Sequence, residues 1–227
     1  MKKAYKKVPH FSKRKYRLLI KLFALDSDAT KIARIVGISR NAAERWITRF
    51  RARIQELSER EKLRDATWVQ MDETYFTKSR EYFPRHTLPD PEVAVFGMID
   101  YAGKVYAKVV PKANKTHILP IVRECCAPGA TIYTDGGGIY KGLTKLGYKH
   151  SFVNHIDNEF SRYEDGACIT TNRIEGYWGW QKQRLLKFRG VKWENLELHI
   201  AESVWRFNHR HDNLYKLLLR EFRVAPL

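Results

Sequence analysis

Three acidic residues stand where phosphoryl chemistry is possible. Asp72 lies late in an alternating stretch, Asp135 closes a short β-branched one, and Glu175 sits near the start of a helix. Between the first two lie 62 residues, and between the last two 39. A hard divalent cation needs oxygen ligands delivered from separate rigid elements, with positions left open for water and phosphate. Two such ions about 4 Å apart can activate an attacking oxygen and stabilise a leaving one. Each acid also has an ordinary reading. Strand-end aspartates before glycines are common turn residues, and Asn172-x-x-Glu175 has the spacing of a capping box in which Glu175 reaches back to the Asn172 N–H. The set gains weight from what precedes it in the chain.

The elements that must position these acids can be read from periodicity. Residues 67–76 alternate, with Val69 and Met71 on one face of a strand and Gln70 and Asp72 on the other. A basic loop over 77–91 comes next. Residues 93–99 and 104–110 then form a β-hairpin around the turn-rich link 100–103. A helix over 116–125 carries Pro120 early. Residues 131–134 form a short strand ending at Asp135, and Gly136, Gly137 and Gly138 lead to an expected helix over 139–146. Another short strand covers 151–154, and 155–170 reads as a polar loop. From Arg173 to Phe188 no proline interrupts a helix that Thr171 or Asn172 can cap. On it Glu175, Trp178 and Lys182 are spaced i, i+3, i+7 and share a face. Helices over 196–207 and 214–222 close the chain. Strands first and helices over them predict an α/β layer fold on a mixed sheet.

Ahead of this lies a different pattern. An apolar run within residues 16–25 ends at Asp26. Residues 29–36, the glycine at 37 and a second helix capped by Ser39 have the offsets of a helix-turn-helix. Ala33, Val36, Ile38, Ala43 and Ile47 can fill the wedge between its helices. Lys31, Arg40, Asn41, Glu44, Arg45 and Arg49 are left as the candidate DNA-contacting residues, near where base edges would be read. The charged stretch 57–65 reads as the end of a helix doubling as a linker. The expected domains are therefore 1–60, helix-turn-helix with a basic N-terminal arm, a linker at 61–66, and 67–227, the α/β domain.

Composition points the same way. The chain of 227 residues carries a formal charge of +17, and residues 1–66 hold 19 Lys and Arg against 7 Asp and Glu, so +12 of it lies there. A field so concentrated favours a polyanion, nucleic acid first. With 44% hydrophobic residues there is material for a core, which argues against wholesale disorder. Cys125, Cys126 and Cys168 form neither a disulfide framework nor a zinc half-site and suit a reducing compartment. No apolar run spans a membrane, and the basic N-terminus lacks the apolar region of a secretory signal. A cytoplasmic, nucleoid-associated protein is expected.

These residues bring the chain to a known family. Residues 70–76 (QMDETYF), 95–98 (VFGM), 132–135 (IYTD), 153–155 (VNH) and 171–178 (TNRIEGYW), with Lys182 and 187–190 (KFRG), resemble the DDE transposases of bacterial insertion sequences in the Merlin-related group. The resemblance covers about residues 14–215, and the block from Asn172 to Gly190 is its most specific part. It implies an RNase H-like catalytic domain, a site of Asp72, Asp135 and Glu175 binding two Mg²⁺ or Mn²⁺ ions, and cutting and joining of double-stranded DNA at element ends and target. It also implies a homodimer or larger assembly on DNA. Asn172 matches a family position discussed as the third ligand; a carboxylate holds a hard cation better than an amide, which favours Glu175. Two departures stand out: the loop 79–85 lacks the usual glycines, and no zinc-ribbon cysteines precede the helix-turn-helix.

Lys182 can hold a phosphate or neutralise Glu175 two turns away. His155 can contact the scissile phosphate or serve as a structural donor. Trp178 can anchor its helix in the core or stack on an extruded base. Two other functions share these features. One is an RNase H-like nuclease or resolvase that cuts without joining; the other is a non-catalytic DNA-binding regulator.

Overall fold

The computed structural model describes residues 12–77, 92–154, 159, 161–164, 166–188 and 190–224. His155, the basic loop beyond Thr77 and most of the N-terminal arm lie outside the described residues. The chain divides into two compact units, Met1–Phe50 with His209–Leu227, and Arg51–Asn208.

The first unit is helical. Helix α1 (Lys13–Ala24) starts at Ser12, whose hydroxyl accepts the Lys15 N–H. Helix α2 (Ala29–Val36) is capped by Asp28, which accepts the Lys31 N–H at 2.8 Å, and ends at Gly37 with φ 69°. That left-handed conformation costs glycine little and other residues more. Helix α3 (Arg40–Arg60) begins where Ser39 Oγ accepts the Ala42 N–H, and its later turns belong to the second unit. Ala33, Val36, Ala43, Trp46, Ile47 and Phe50 are buried, while Ile38 is half-buried. The terminal helix α7 (Leu214–Val224) joins this core, with Phe222 stacked on Phe50 at 4.7 Å. Residues 209–227 thus group with the N-terminal helices, whereas the linear reading attached them to the α/β domain.

The second unit is a five-stranded mixed sheet in the order β3-β2-β1-β4-β5. Strands β1 (Trp68–Thr77), β2 (Glu92–Asp100) and β3 (Val105–Val110) form an antiparallel meander. Helix α4 (Lys115–Cys125) then crosses to β4 (Thr131–Asp135), which lies parallel to β1, and β5 (Lys149–Val153) extends the parallel edge. This is the RNase H-like arrangement. Met71, Phe96, Met98, Ile118, Val122, Ile132 and Tyr140 pack on one face. Val95, Ile99 and Val105 meet α5 (Asn172–Leu186) and α6 (Trp193–Asn208) on the other. β2 is buried along nearly its whole length, as a strand covered on both faces must be.

Two elements differ from the sequence reading. The expected helix over 139–146 is two single 3₁₀ turns, Gly138–Tyr140 and Thr144–Leu146. Gly142 between them sits at φ 123°, a conformation no helix continues through. The polar stretch 155–170 contains a hairpin, β6 (Ser161–Glu164) with β7 (Ala167–Thr170), turning at Gly166 with φ 77°. Strands of four residues carry too short an alternation to be read from sequence.

A buried ionic cluster ties the helices of this unit together. Glu202 on α6 takes Arg51 at 2.7 Å and Arg184 and Arg206 at 2.8 Å each. The three guanidiniums hold its carboxyl well below the usual range against the cost of burial.

Candidate active site

The register of the sheet brings the two aspartates together. β1 and β4 are parallel with Gln70 beside Tyr133, and two residues further along each strand stand Asp72 and Asp135. Side chains two apart share a face, so both acids project from the same side of neighbouring strands. On the other flank Asp72 pairs with Gly97 of β2. A Cβ on Gly97 would lie 2.5 Å from the Trp178 ring, so the absent side chain is what lets α5 lie down on the sheet beside Asp72.

Helix α5 is fixed there by β1. The side-chain oxygen of Gln70, fully buried, accepts the N–H groups of Arg173 at 2.9 Å and Ile174 at 3.2 Å. These are two of the orphan donors of the first helical turn. The Asn172 N–H goes to Thr170 Oγ1 at 3.2 Å, and Thr171 is the N-cap residue. Glu175 is therefore one position too far along for the capping box that its spacing suggested; it accepts the Thr171 hydroxyl at 2.6 Å. With Gln70 supplying the cap from outside, the glutamate is not needed as one.

The electrostatics register the convergence. Asp72 is half-buried, and its carboxyl is pushed up to about 7, first by burial and then by the negative charges of Asp135, Glu73 and Glu175, against a lowering hydrogen bond from the Glu73 N–H at 2.8 Å. Asp72 therefore feels the charges of both other sequence-identified acids, Glu175 the least. Glu73, on the opposite strand face, is also raised by burial, and the Tyr140 hydroxyl donates to it at 2.5 Å. Asp135 Oδ1 accepts the Gly137 N–H at 3.3 Å.

Among the described residues no three His, Cys, Asp or Glu side chains are drawn tightly enough to hold an ion as they stand. The donor set nonetheless fits a hard divalent cation: carboxylate oxygens come from three elements, and burial together with the neighbouring acids raises the proton affinity of Asp72, where positive charge would offset both.

Of the other candidates, Asn172 is exposed at the first residue of α5. Lys182 is exposed two turns beyond Glu175 and lines an apolar pocket of about 410 Å³ with Tyr75, Phe76, Leu186 and Trp193. Trp178 is buried against the sheet. In the first unit Lys31, Arg40, Asn41, Glu44, Arg45 and Arg49 are all exposed; Arg40 pairs with Glu44 at 3.1 Å and Arg49 lies 5.2 Å from the centre of the Trp46 ring. Gln70, Glu73 and Tyr140 are contributors that sequence reasoning did not identify, while Thr171 was legible as a cap candidate. The alternation of β1 placed Gln70 on the Asp72 face, which was the one available signal. No helix among the described residues is long and apolar enough to cross a membrane.

Comparison with known proteins gives a consistent picture. The ISXO2-like transposase domain matches residues 62–208. An uncharacterised transposase-like protein of Haemophilus influenzae is 35% identical over 106 residues, covering 47% of this chain and 82% of that protein. Of solved structures, a pre-cleavage Mos1 transpososome aligns with 97% of this chain and 81% of its own at 12% identity and a TM-score of 0.35. The Drosophila P element transposase strand transfer complex aligns with 100% of this chain and 62% of its own at 11% identity and a TM-score of 0.37. Scores this low add nothing to the strand order.

Proposed function

The chain belongs to the ISXO2-like transposase domain family, and from that premise we propose that it is a DDE transposase that cuts and joins DNA at element ends. The observation that supports this reading is the sheet register, which sets Asp72 and Asp135 on one face of adjacent parallel strands, with α5 laid over Gly97 on that same face. Acids gathered from three elements on one face at the middle of the sheet suit phosphoryl transfer better than packing.

Asp72, Asp135 and Glu175 would hold Mg²⁺ or Mn²⁺, in a two-ion site; Glu175 is preferred to Asn172 because it is anionic. When bound, such ions supply charge neutralisation at the phosphate and activation of the attacking oxygen. The chain's own residues do the positioning. Gln70 fixes α5, and with it Glu175, relative to Asp72. Lys182 binds a phosphate oxygen of the strand being cut. In the first reaction a water oxygen bonds to phosphorus and the 3′ oxygen leaves as a hydroxyl. In the second, that 3′-hydroxyl bonds to a phosphorus of the target and displaces its 3′ oxygen, so one phosphodiester replaces another. The exposed Lys31, Arg40, Asn41, Glu44, Arg45 and Arg49 would hold the duplex, Arg to guanine and Asn to adenine in the major groove. Joining two ends implies a dimer or larger assembly on DNA.

The test is incubation with Mg²⁺ and DNA carrying the repeats that flank the gene, beside Asp135→Asn. Joined strands from the wild type alone are expected. Cut but unjoined strands would indicate a nuclease, and tight binding with no cleavage in either Mg²⁺ or Mn²⁺ a regulator.

A further inference from the structure

Asp72 and Asp135 come from adjacent parallel strands, yet the backbone ladder does not set the distance between them. The pairing of β1 with β4 runs from Trp68 beside Thr131 to Gln70 beside Tyr133. Both aspartates lie two residues past that last pair. Beyond it β1 stays bonded to β2, with Asp72 beside Gly97, and β4 to β5, with Asp135 beside Val153. Each acid is thus held from its outer side, and the seam between them is not closed by main chain.

Side chains close it. The Glu73 N–H donates to Asp72 Oδ1 at 2.8 Å. The carboxylate of Glu73 accepts the Tyr140 hydroxyl at 2.5 Å, and the Tyr140 N–H donates to the Gly137 carbonyl at 3.1 Å. Gly137 in turn donates its N–H to Asp135 Oδ1 at 3.3 Å. The bonds form one continuous path from one aspartate to the other. Tyr140 is fully buried in the sheet core, so its ring cannot swing away from Glu73. A Cβ on Gly137 would lie 3.0 Å from Asp135 Oδ1 and 3.6 Å from the Tyr140 ring, which leaves the path little slack.

We propose that the Tyr140–Glu73 hydrogen bond is the brace that sets the separation of Asp72 and Asp135, making Tyr140 and Glu73 positioning residues for the metal site. The inference rests on the reading of the two aspartates as metal ligands. It assigns Glu73, the acid next to Asp72 in sequence, to the opposite face of the sheet and to geometry, not to the ligand set.

Mn²⁺ binding to the full chain, followed by electron paramagnetic resonance of the free ion, tests this beside thermal melting of each variant. Tyr140→Phe removes the donor and is expected to weaken Mn²⁺ binding about tenfold or more, as loss of an outer hydrogen-bond partner does at metal sites, with the melting transition kept. Glu73→Gln keeps an oxygen acceptor for Tyr140 and is expected to stay within about threefold of wild type. The reverse order, with Glu73→Gln damaging and Tyr140→Phe harmless, would show that the charge of Glu73 matters and not the brace. Equal affinity in wild type and Tyr140→Phe would overturn the brace alone. If the wild type does not bind Mn²⁺, or Asp72→Asn binds it as well, the reading of the aspartates falls and the brace with it.

Discussion

Gln70 caps a helix from outside it: its buried side-chain oxygen accepts the Arg173 N–H at 2.9 Å, with the Ile174 N–H sharing the same acceptor at 3.2 Å. Since Gln70 and Asp72 occupy one face of β1, a single strand both supplies an acid and sets the start of the helix that supplies another. Replacing Gln70 by Leu leaves a buried donor at Ile174 and a part-buried one at Arg173 without their acceptor, a cost of about 1–3 kcal/mol. Urea unfolding should show that loss, and single-turnover cleavage should slow in the folded protein because Glu175 is no longer registered to Asp72. An unchanged cleavage rate would contradict the positioning role.

The raised carboxyl of Asp72 makes the metal-free protein sensitive to pH in a defined direction. Its folded value of about 7 lies above the ordinary 3.8, so the folded state binds the proton more tightly than the unfolded one. The stabilisation is complete below about pH 4 and is lost as pH rises through 7, amounting to roughly 2–4 kcal/mol across that window. Asp72→Asn should therefore melt higher than wild type at pH 8 without metal, while failing to cleave. Equal melting temperatures at pH 8 would mean that neither burial nor the neighbouring acids penalise the ionised carboxyl of Asp72.

Gly97→Ala sets a Cβ 2.5 Å from the Trp178 ring. An indole packed between sheet and helix cannot yield as a flexible chain end does. The substitution should cost about 1–3 kcal/mol through overpacking and should reduce cleavage by lifting α5 from the sheet. Circular dichroism melting and the cleavage assay together read both effects.

Glu202→Gln would leave Arg51, Arg184 and Arg206 without their shared counter-charge. Breaking a buried ion cluster from one side costs about 3–5 kcal/mol. None of the four residues belongs to the set around Asp72, so the fraction that remains folded should retain its cleavage rate. A large fall in melting temperature with normal single-turnover kinetics in the cold is expected.

Features set by short-range pattern were legible in the sequence. Alternation in β1 put Gln70 and Asp72 on one face, the β-branched run before Asp135 marked β4, and Ser39 and Gly37 bounded the second and third helices at their observed positions. Features set by partners distant in the chain were not. Capping-box spacing at Asn172 and Glu175 was a sound local inference, but Gln70, more than 100 residues away, took over the capping. Tyr140 could not be singled out because its bond to Glu73 joins residues 67 apart in the chain. The break at Gly142 was visible as a glycine, though the single 3₁₀ turns around it depend on tertiary anchoring that overrides local propensity. That α7 packs with α1 is likewise a matter of which apolar stripe finds which.

If Asp72, Asp135 and Glu175 act as one metal-binding set, the most direct measurement is a switch of metal preference. Asp135→Cys replaces a hard oxygen ligand by a softer sulfur, which Mg²⁺ avoids and Mn²⁺ accepts more readily. Cleavage of DNA carrying the element's repeats should be lost in Mg²⁺ and partly restored in Mn²⁺, while Asp135→Ala stays inactive in both. Cleavage by Asp135→Cys in Mg²⁺ at the wild-type rate, or no difference between the cysteine and alanine variants in Mn²⁺, would contradict a metal bound at Asp135.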